Sequence, residues 1–126
     1  MIYGIGTDIV MIERIVKAIE QNKKFAEKIL NENELKNFEN TNNKNSFLAK
    51  RFAAKEAFGK ACGIGIRSPI LFKNIEVINN NLGKPELKLS EEIQQWLEQN
   101  KIQKCHISIS DEKEYAIAFV ILEHKL

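Results

Sequence analysis

The segment from Ser46 to Cys62 constrains the fold most strongly, because it has the features of one long helix. Ser46 is a suitable N-cap residue, and Gly63 can take the left-handed conformation that often follows a helix C-terminus. The apolar residues that fall on one face at helical spacing are Phe47, Ala54, Phe58 and Ala61. We therefore expect a helix here with one face in the core.

The N-terminal residues predict a strand followed by short helices. β-Branched and apolar residues from Ile2 to Val10 indicate a buried strand, interrupted by glycines and carrying one acid, Asp8. The next apolar residues recur at i, i+3, i+4 and i+7, as in a helix, and are Ile12, Ile15, Val16 and Ile19. A second short helix is expected after Asn22, and the Asn-rich residues 31–46 favour a short helix and a loop.

The C-terminal half predicts mostly strands. Two strands, near Phe72–Ile78 and Glu86–Leu89, flank an Asn- and Gly-containing turn. Ser90 can cap a helix that runs through Gln99, and two further strands form a hairpin, with residues 105–110 and 115–122 on either side of a turn at 111–113. Helices and antiparallel strands mix without regular alternation, so the fold class is α+β: an antiparallel sheet packed with helices in one domain, residues 1–126.

Composition excludes several classes of protein. A chain of 126 residues with a formal net charge of +2 fits one domain and is too balanced for a dedicated nucleic-acid binder. No apolar run is long enough for a membrane span, and the N-terminus does not resemble a signal peptide, so we expect a cytoplasmic protein. Cys62 and Cys105 lie far apart and are expected to be free thiols. Rossmann, P-loop, zinc and nucleophile-elbow motifs are all missing.

Asp8 is the first candidate functional residue. A carboxylate in a strand that otherwise looks buried is usually paired, hydrogen-bonded or bound to a metal. The small residues beside it, Gly4 and Gly6, would let a bulky ligand approach. A capping or turn role at the end of a short strand is the alternative.

The central helix carries the second candidate group. Helical spacing places Glu56 and Lys60 on a strip of small residues with Ala49 and Ala53, which would leave room for a ligand. The basic residues around Glu56 suit phosphates, since Arg binds them through two hydrogen bonds. They are Lys50, Arg51, Lys55 and Lys60. A solvated helix face with a weak Glu56–Lys60 pair is the alternative.

Loop glycines and a basic stripe complete the candidates. Gly63 and Gly65 either end the helix or let a ligand approach the backbone, and Gly83-Lys84-Pro85 is a turn or a ligand wall. The basic charge is concentrated between positions 13 and 60, where 11 basic residues stand against 7 acidic ones. If one helical phase persists through Asn22, one face could meet an acidic partner or simply aid solubility. Its residues are Arg14, Lys17, Lys24 and Lys28.

Taken together and in this order, the motifs resemble those of the holo-acyl-carrier-protein synthases, the small bacterial class of 4′-phosphopantetheinyl transferases. The resemblance covers nearly the whole chain. The matching segments are Gly4-Ile-Gly-Thr-Asp-Ile-Val10, Ile12-Glu-Arg14, Arg51-Phe-Ala-Ala-Lys-Glu-Ala-Phe-Gly-Lys-Ala61, Gly63-Ile-Gly-Ile66, Gly83-Lys-Pro85, Ser108-Ile-Ser110 and Tyr115-Ala116.

The resemblance implies transfer of the phosphopantetheine arm of coenzyme A to a serine of apo-acyl carrier protein, in support of fatty acid biosynthesis. Adenosine 3′,5′-bisphosphate is the by-product. Asp8 and Glu56 match the family's Mg²⁺ ligands, and Mg²⁺ does prefer carboxylate and phosphate oxygens. Glu56 is also the candidate general base, directly or through a metal-bound water, and Lys60 would stabilise charge on the phosphate. The residues expected to hold coenzyme A are Arg51, Lys55, Lys60, Gly63, Gly65, Gly83, Lys84, Pro85, Ser110 and Asp111.

The resemblance also implies partners. Arg14, Lys17, Lys24 and Lys28 would dock the acidic carrier protein, and a homotrimer with sites between subunits is expected. One departure is Asp111, which follows Ser110 where many relatives have a histidine tied to nucleotide binding. It cannot pair directly with a phosphate, but could accept a hydrogen bond from a hydroxyl or a base edge. The alternative function is a non-catalytic module that binds acidic proteins through its basic face.

Overall fold

The structure is a computed structural model that describes residues 1–126. It contains five helices and five strands, with a short 3₁₀ turn at Phe72–Asn74 before β2. In chain order they are β1 (Ile2–Met11), α1 (Ile12–Gln21), α2 (Phe25–Ile29), α3 (Glu32–Asn40), α4 (Lys44–Cys62), β2 (Ile75–Asn79), β3 (Pro85–Leu89), α5 (Glu91–Gln99), β4 (Ile102–Asp111) and β5 (Tyr115–His124). The α+β class is confirmed, and every predicted helix and strand is present with shifted ends.

The strands form two antiparallel sheets instead of one. In the larger sheet β5 lies between β1 and β4, so that Asp8 is opposite Ala118 and Ala118 is opposite Ile109. The second sheet is the hairpin of β2 and β3 alone. A two-stranded hairpin is only marginally stable by itself, so it needs contacts with the rest of the protein.

Helix α4 is the centre of the core. Buried residues lie on nearly all its sides, including Leu48, Ala53 and Phe58, none of which is exposed. The expectation of a single buried face is therefore wrong, because the sheet covers one side of α4 and other helices and loops cover the rest. Its N-cap is Asn43, not Ser46: the Asn43 side chain accepts a hydrogen bond from the Ser46 N–H at 3.3 Å.

The C-terminus of α4 and the start of α5 follow the predictions. Gly63 ends α4 with φ of 87°, a conformation that favours glycine. Ser90 caps α5 by accepting from the Ile93 N–H. The predicted second helix after Asn22 is also present, but Asn22 is extended and separates α1 from α2, so the condition of one helical phase through Asn22 is not met.

Gly4 and Gly6 allow β1 to pass unusually close to α4. A Cβ at Gly4 would collide with the carbonyl oxygen of Ala61, and a Cβ at Gly6 would collide with that of Ala57. Two strand residues and four helix residues both rise about 6 Å, so the two backbones stay in step as they run in opposite directions. These glycines therefore make room for a helix, and the expectation that they make room for a ligand is wrong.

The outer face of the larger sheet is apolar and uncovered in the single chain. The side chains that stand on it are 40% exposed or more, and are Ile5, Ile9, Met11, Tyr115, Ile117 and Phe119.

None of the helices has both the length and the apolar character needed to cross a membrane. Cys62 and Cys105 are free thiols, and burial raises the pKa of each to about 12.

Candidate active site

Asp8 and Lys60 form an ion pair between β1 and α4. Lys60 Nζ lies 3.0 Å from Asp8 Oδ1 and also donates to the Thr7 carbonyl oxygen at 3.0 Å. The Asp8 side chain is 16% exposed and that of Lys60 52% exposed, so solvent or a ligand can reach the pair. Lys60 therefore binds to strand β1 and does not pair with Glu56. The alternative of a solvated helix face had predicted a Glu56–Lys60 pair, which is not formed.

Glu56 is the second carboxylate of this site. It lies one helical turn before Lys60 on the same face of α4 and is half-buried. Burial raises the pKa of Glu56, the negative charge of Asp8 raises it further, and Lys60 opposes both. Two carboxylates close enough to repel each other therefore stand beside one ammonium group, and we call Asp8, Glu56 and Lys60 the carboxylate site.

The carboxylate site fits a hard divalent cation. No third histidine, cysteine or acid joins Asp8 and Glu56, so the protein offers only carboxylate oxygens. That donor set suits Mg²⁺, which commonly takes one or two carboxylates and completes its octahedron with water and phosphate oxygens. A cation between the two carboxylates would also relieve the repulsion that raises the pKa of Glu56.

The strip of small residues beside the site is not a groove. Ala49 and Ala53 are fully buried, because the strip packs against the sheet. The expectation that it leaves space for a ligand is therefore wrong. The short distance between α4 and β1 that brings Glu56 and Asp8 together is seen farther along the helix, where Gly6 and Gly4 meet the carbonyl oxygens of Ala57 and Ala61.

A polar cavity lies beside the N-terminal half of α4. Its volume is about 170 Å³, and we call it the hairpin cavity, because the β2–β3 hairpin forms one wall. Its lining residues are Lys50, Arg51, Val77, Asn79, Gly83, Pro85, Ile109 and Asp111. Four of the ten residues expected to hold coenzyme A thus meet here: Arg51, Gly83, Pro85 and Asp111.

Asp111 is anchored inside the hairpin cavity. The Ser46 hydroxyl donates to Asp111 Oδ2 at 3.0 Å, which fixes the carboxylate at the start of α4. Lys50 and Arg51 line the same cavity, so its wall carries two cations and one anion. The sequence did not indicate roles for Ser46 or Asn79 here, since neither belongs to a charged or glycine-rich pattern.

Lys55 corrects the sequence-based expectation most clearly. It was expected to hold the nucleotide, but it is fully buried. Its Nζ donates to the carbonyl oxygens of Ile29 at 2.6 Å and Phe72 at 3.0 Å, and to Glu34 Oε1 at 2.6 Å. With all three protons used inside the protein, Lys55 cannot contact a phosphate.

The other expected coenzyme A ligands lie outside the hairpin cavity. Gly63 and Gly65 follow the opposite end of α4, where the Gly65 N–H donates to the Gly59 carbonyl at 3.0 Å. Ser110 is exposed and alternates with Ile109 along β4, so it stands on the other face of the sheet. Lys84 is an exposed turn residue and does not line the cavity.

The four basic residues expected to dock a carrier are all exposed, although they belong to two helices. Arg14 and Lys17 are on α1, while Lys24 is the N-cap residue of α2 and Lys28 lies in its last turn. Arg14 also borders an open depression of about 360 Å³ that reaches Asp8. Its other lining residues are mostly apolar and are Ile9, Val10, Met11, Ile15, Ala18, Phe25 and Phe52.

Comparison with known proteins gives consistent matches over nearly the whole chain. The family model described as the 4′-phosphopantetheinyl transferase superfamily matches residues 4–120. A holo-[acyl-carrier-protein] synthase of Neisseria meningitidis is 46% identical over 124 residues, which cover 98% of this chain and 99% of that protein.

Solved structures agree with the sequence comparisons. The crystal structure of a Neisseria meningitidis holo-[acyl-carrier-protein] synthase superposes with a TM-score of 0.95 at 45% identity, covering 98% of this chain and 99% of that one. The Bacillus anthracis holo-(acyl-carrier-protein) synthase, solved in complex with CoA (3′,5′-ADP), gives a TM-score of 0.84 at 42% identity and covers 99% of both chains.

Proposed function

The chain belongs to the 4′-phosphopantetheinyl transferase superfamily, and from this premise we propose the reaction that it catalyses. It is a holo-acyl-carrier-protein synthase, which moves the 4′-phosphopantetheine group of coenzyme A to a serine of apo-acyl carrier protein. A P–O bond to the serine oxygen forms, the pyrophosphate P–O bond breaks, and adenosine 3′,5′-bisphosphate leaves. The reaction supplies holo-carrier for fatty acid biosynthesis in the cytoplasm.

One observation carries the proposal: the carboxylate site places two acids and one ammonium group together at an accessible point between β1 and α4. Phosphoryl transfer depends mainly on positioning and on stabilising charge at the phosphate oxygens. Asp8 and Glu56 would hold Mg²⁺, which neutralises charge on the attacked phosphate and on the leaving group when it is bound.

Glu56 and Lys60 have separate tasks in this proposal. The Glu56 carboxylate receives the proton of the carrier's serine hydroxyl, either directly or through a water molecule. Lys60 Nζ, held toward the same point by Asp8 and Thr7, donates to the phosphate oxygens.

The hairpin cavity is our candidate for the nucleotide end of coenzyme A. Lys50 and Arg51 supply positive charge for its phosphates, and Gly83 and Pro85 form a wall without large side chains. Asp111, fixed by Ser46, is placed to accept a hydrogen bond from a hydroxyl or a base edge.

We further propose a homotrimer in which neighbouring subunits complete each site. The carboxylate site and the hairpin cavity are on different faces of α4, because at 100° per residue Glu56 and Lys60 point roughly 140° and 180° away from Arg51, which lines the cavity. One coenzyme A would therefore join the cavity of one subunit to the carboxylates of another. The uncovered apolar face of the sheet offers a surface for that contact. Light scattering after size exclusion measures the oligomeric state, and a monomer would contradict this part.

The exposed basic residues Arg14, Lys17, Lys24 and Lys28 are the proposed docking surface for the acidic carrier protein. Arg14 borders the depression that leads to Asp8, so a carrier bound there would present its serine near the carboxylate site.

The direct test incubates the protein with coenzyme A, Mg²⁺ and a competent apo-acyl carrier protein, and follows the intact mass of the carrier. We expect a phosphopantetheine adduct and an equal amount of adenosine 3′,5′-bisphosphate. The matched controls omit Mg²⁺ or use Glu56→Gln, and both should give little adduct. Carrier binding with no adduct would support the non-catalytic alternative instead.

A further inference from the structure

A second group of charged side chains lies buried on the other side of α4. Glu34 on α3 is 1% exposed, and Arg51 and Lys55 on α4 are 8% and 0% exposed. We call these three residues the buried cluster. Buried charges are costly unless they are paired and hydrogen-bonded, yet the proposed reaction uses neither Glu34 nor Lys55.

Both oxygens of Glu34 are used within the protein. Oε1 accepts from Lys55 Nζ at 2.6 Å and from the Asn31 N–H at 3.1 Å, which forms part of the capping box of α3. Oε2 accepts from the Val77 N–H at 2.9 Å. One carboxylate therefore joins α3, α4 and strand β2 of the hairpin.

Arg51 binds the carbonyl group of Val77, the residue of β2 whose N–H binds Glu34. Its Nη2 donates to the Val77 carbonyl oxygen at 3.5 Å, while its guanidinium carbon lies 3.9 Å from the centre of the Phe47 ring. Arg51 Nε is 3.9 Å from Glu34 Oε2 and has no hydrogen-bond partner in the protein. Glu34 and Arg51 thus fix Val77 jointly, and both Val77 and Arg51 line the hairpin cavity.

The charges of the buried cluster do not cancel. Two cations face one anion, and burial lowers the pKa of both Arg51 and Lys55 while Glu34 opposes the shift. Lys55 already gives its protons to three oxygens, whereas Arg51 Nε has no hydrogen-bond partner. Together with Lys50, Arg51 gives the cavity wall two cations against the single carboxylate of Asp111. An anionic group in the cavity would supply the missing partner.

We propose that Glu34 is a positioning residue for the nucleotide end of the donor. Held by Lys55, it fixes both the Arg51 guanidinium and the Val77 wall in the geometry that receives a phosphate. The inference rests on the proposed function, because it takes coenzyme A as the molecule that enters the hairpin cavity. It assigns Lys55 the task of holding Glu34 in place of direct contact with coenzyme A.

The test is Glu34→Gln. The amide has the size of the carboxylate, but it loses the negative charge that faces Arg51 and cannot match all of the acceptor bonds. We expect the KM for coenzyme A to rise about tenfold, the equivalent of one strong hydrogen bond, while kcat and the carrier KM change less than about twofold. The Kd of adenosine 3′,5′-bisphosphate, measured by calorimetry, should rise by a similar factor without any turnover.

Two further variants separate positioning from loss of stability. Ile93→Ala removes a fully buried side chain from α5, away from the cluster, and should lower stability but leave the KM for coenzyme A unchanged. The double variant Arg51→Gln with Glu34→Gln is compared with Arg51→Gln alone. Its KM for coenzyme A should be less than about twofold higher, because the two residues act through one contact. A full additional tenfold rise in the double variant would overturn the proposal.

The outcomes also separate this inference from the proposed function. If the unaltered protein produces no holo-carrier, the proposed function fails. If it does, and Glu34→Gln binds coenzyme A normally, only the positioning role fails. Should Glu34→Gln not fold, Glu34→Asp replaces it: the shorter acid keeps the charge but loses reach to Val77, and we expect the KM to rise about threefold. An unchanged KM in Glu34→Asp would overturn the positioning role.

Discussion

The carboxylate site and the buried cluster use the same chemistry in two different surroundings. Each joins an acid to a lysine of α4: Asp8 to Lys60 at 3.0 Å, and Glu34 to Lys55 at 2.6 Å. The Lys60 side chain is 52% exposed and that of Lys55 is 0% exposed. Exposure therefore decides which pair can exchange its protein partner for a ligand, and which pair holds the structure together.

The largest effect is expected from replacing Glu56, the proposed general base of the carboxylate site. Glu56→Gln keeps the shape of the side chain, but the neutral amide can neither accept the serine proton nor offer a negative charge to a cation. Loss of general base catalysis alone costs about 100- to 10,000-fold, so we expect kcat to fall at least that far. Turnover is measured by the mass of the carrier, and the melting temperature is the control for folding. Near-normal turnover would remove Glu56 from the site.

Replacing each lysine by methionine tests the two pairs directly. Lys55→Met leaves Glu34 buried without its main partner, and we expect a loss of about 3–5 kcal/mol in the free energy of unfolding. Lys60→Met breaks an exposed pair and should cost about 0–1 kcal/mol, while it lowers turnover strongly. Urea unfolding measures both variants. Equal losses of stability would contradict the distinction between the two pairs.

Charge reversal at the proposed docking surface should weaken binding of the carrier and leave binding of coenzyme A nearly unchanged. Arg14→Glu with Lys24→Glu is expected to raise the carrier KM about tenfold and to leave the KM for coenzyme A within about twofold. Added salt should also raise the carrier KM of the unaltered protein, because it screens exposed charges. Steady-state kinetics at two salt concentrations checks both points. An unchanged carrier KM in the double variant would exclude this surface.

The smallest expected effect is a shift in the titration of Glu56. Burial and Asp8 raise the pKa of Glu56, and Lys60 lowers it. In the metal-free protein, Lys60→Met should therefore raise that pKa further, so Glu56 stays protonated to a higher pH. NMR of the labelled carboxyl carbon measures the shift, with the distant exposed variant Lys125→Met as the control. A fall in the pKa would contradict the arrangement.

The sequence predicted the order of the elements well, because periodicity and caps are local properties. The stripe of α1 and the left-handed Gly63 were both found where the pattern placed them. The start of α4 was misplaced because Asn43 and Ser46 are both good caps and only the surrounding contacts decide between them. The separate β2–β3 sheet could not be foreseen, since strand pairing depends on contacts far apart in the chain.

The candidate site was only partly predictable, because local spacing indicates which residues share a helix face but not which faces the rest of the chain covers. Asp8, Glu56 and Lys60 were proposed to act together, and the structure brings them together. Lys55 was placed wrongly, because it belongs to the same basic segment as Lys60 and helical spacing alone does not tell which side of α4 the core covers. Glu34 was missed, although its spacing from Asn31 is that of a capping box. Its pairing with Lys55 becomes visible only when α3 packs on α4.

The close passage of β1 by α4 has a consequence for anyone who re-engineers this protein. Because Gly4 and Gly6 leave main chain facing main chain, the strand and the helix cannot be brought closer by trimming a side chain, and any side chain added there would push them apart. The gap that Asp8 and Glu56 span is therefore set by direct contact between the two backbones, and it stays fixed as long as both glycines are kept. Changes of the proposed metal or acceptor are therefore best sought in the carboxylate residues and on helices α1 and α2, since the contact between β1 and α4 tolerates no added side chain.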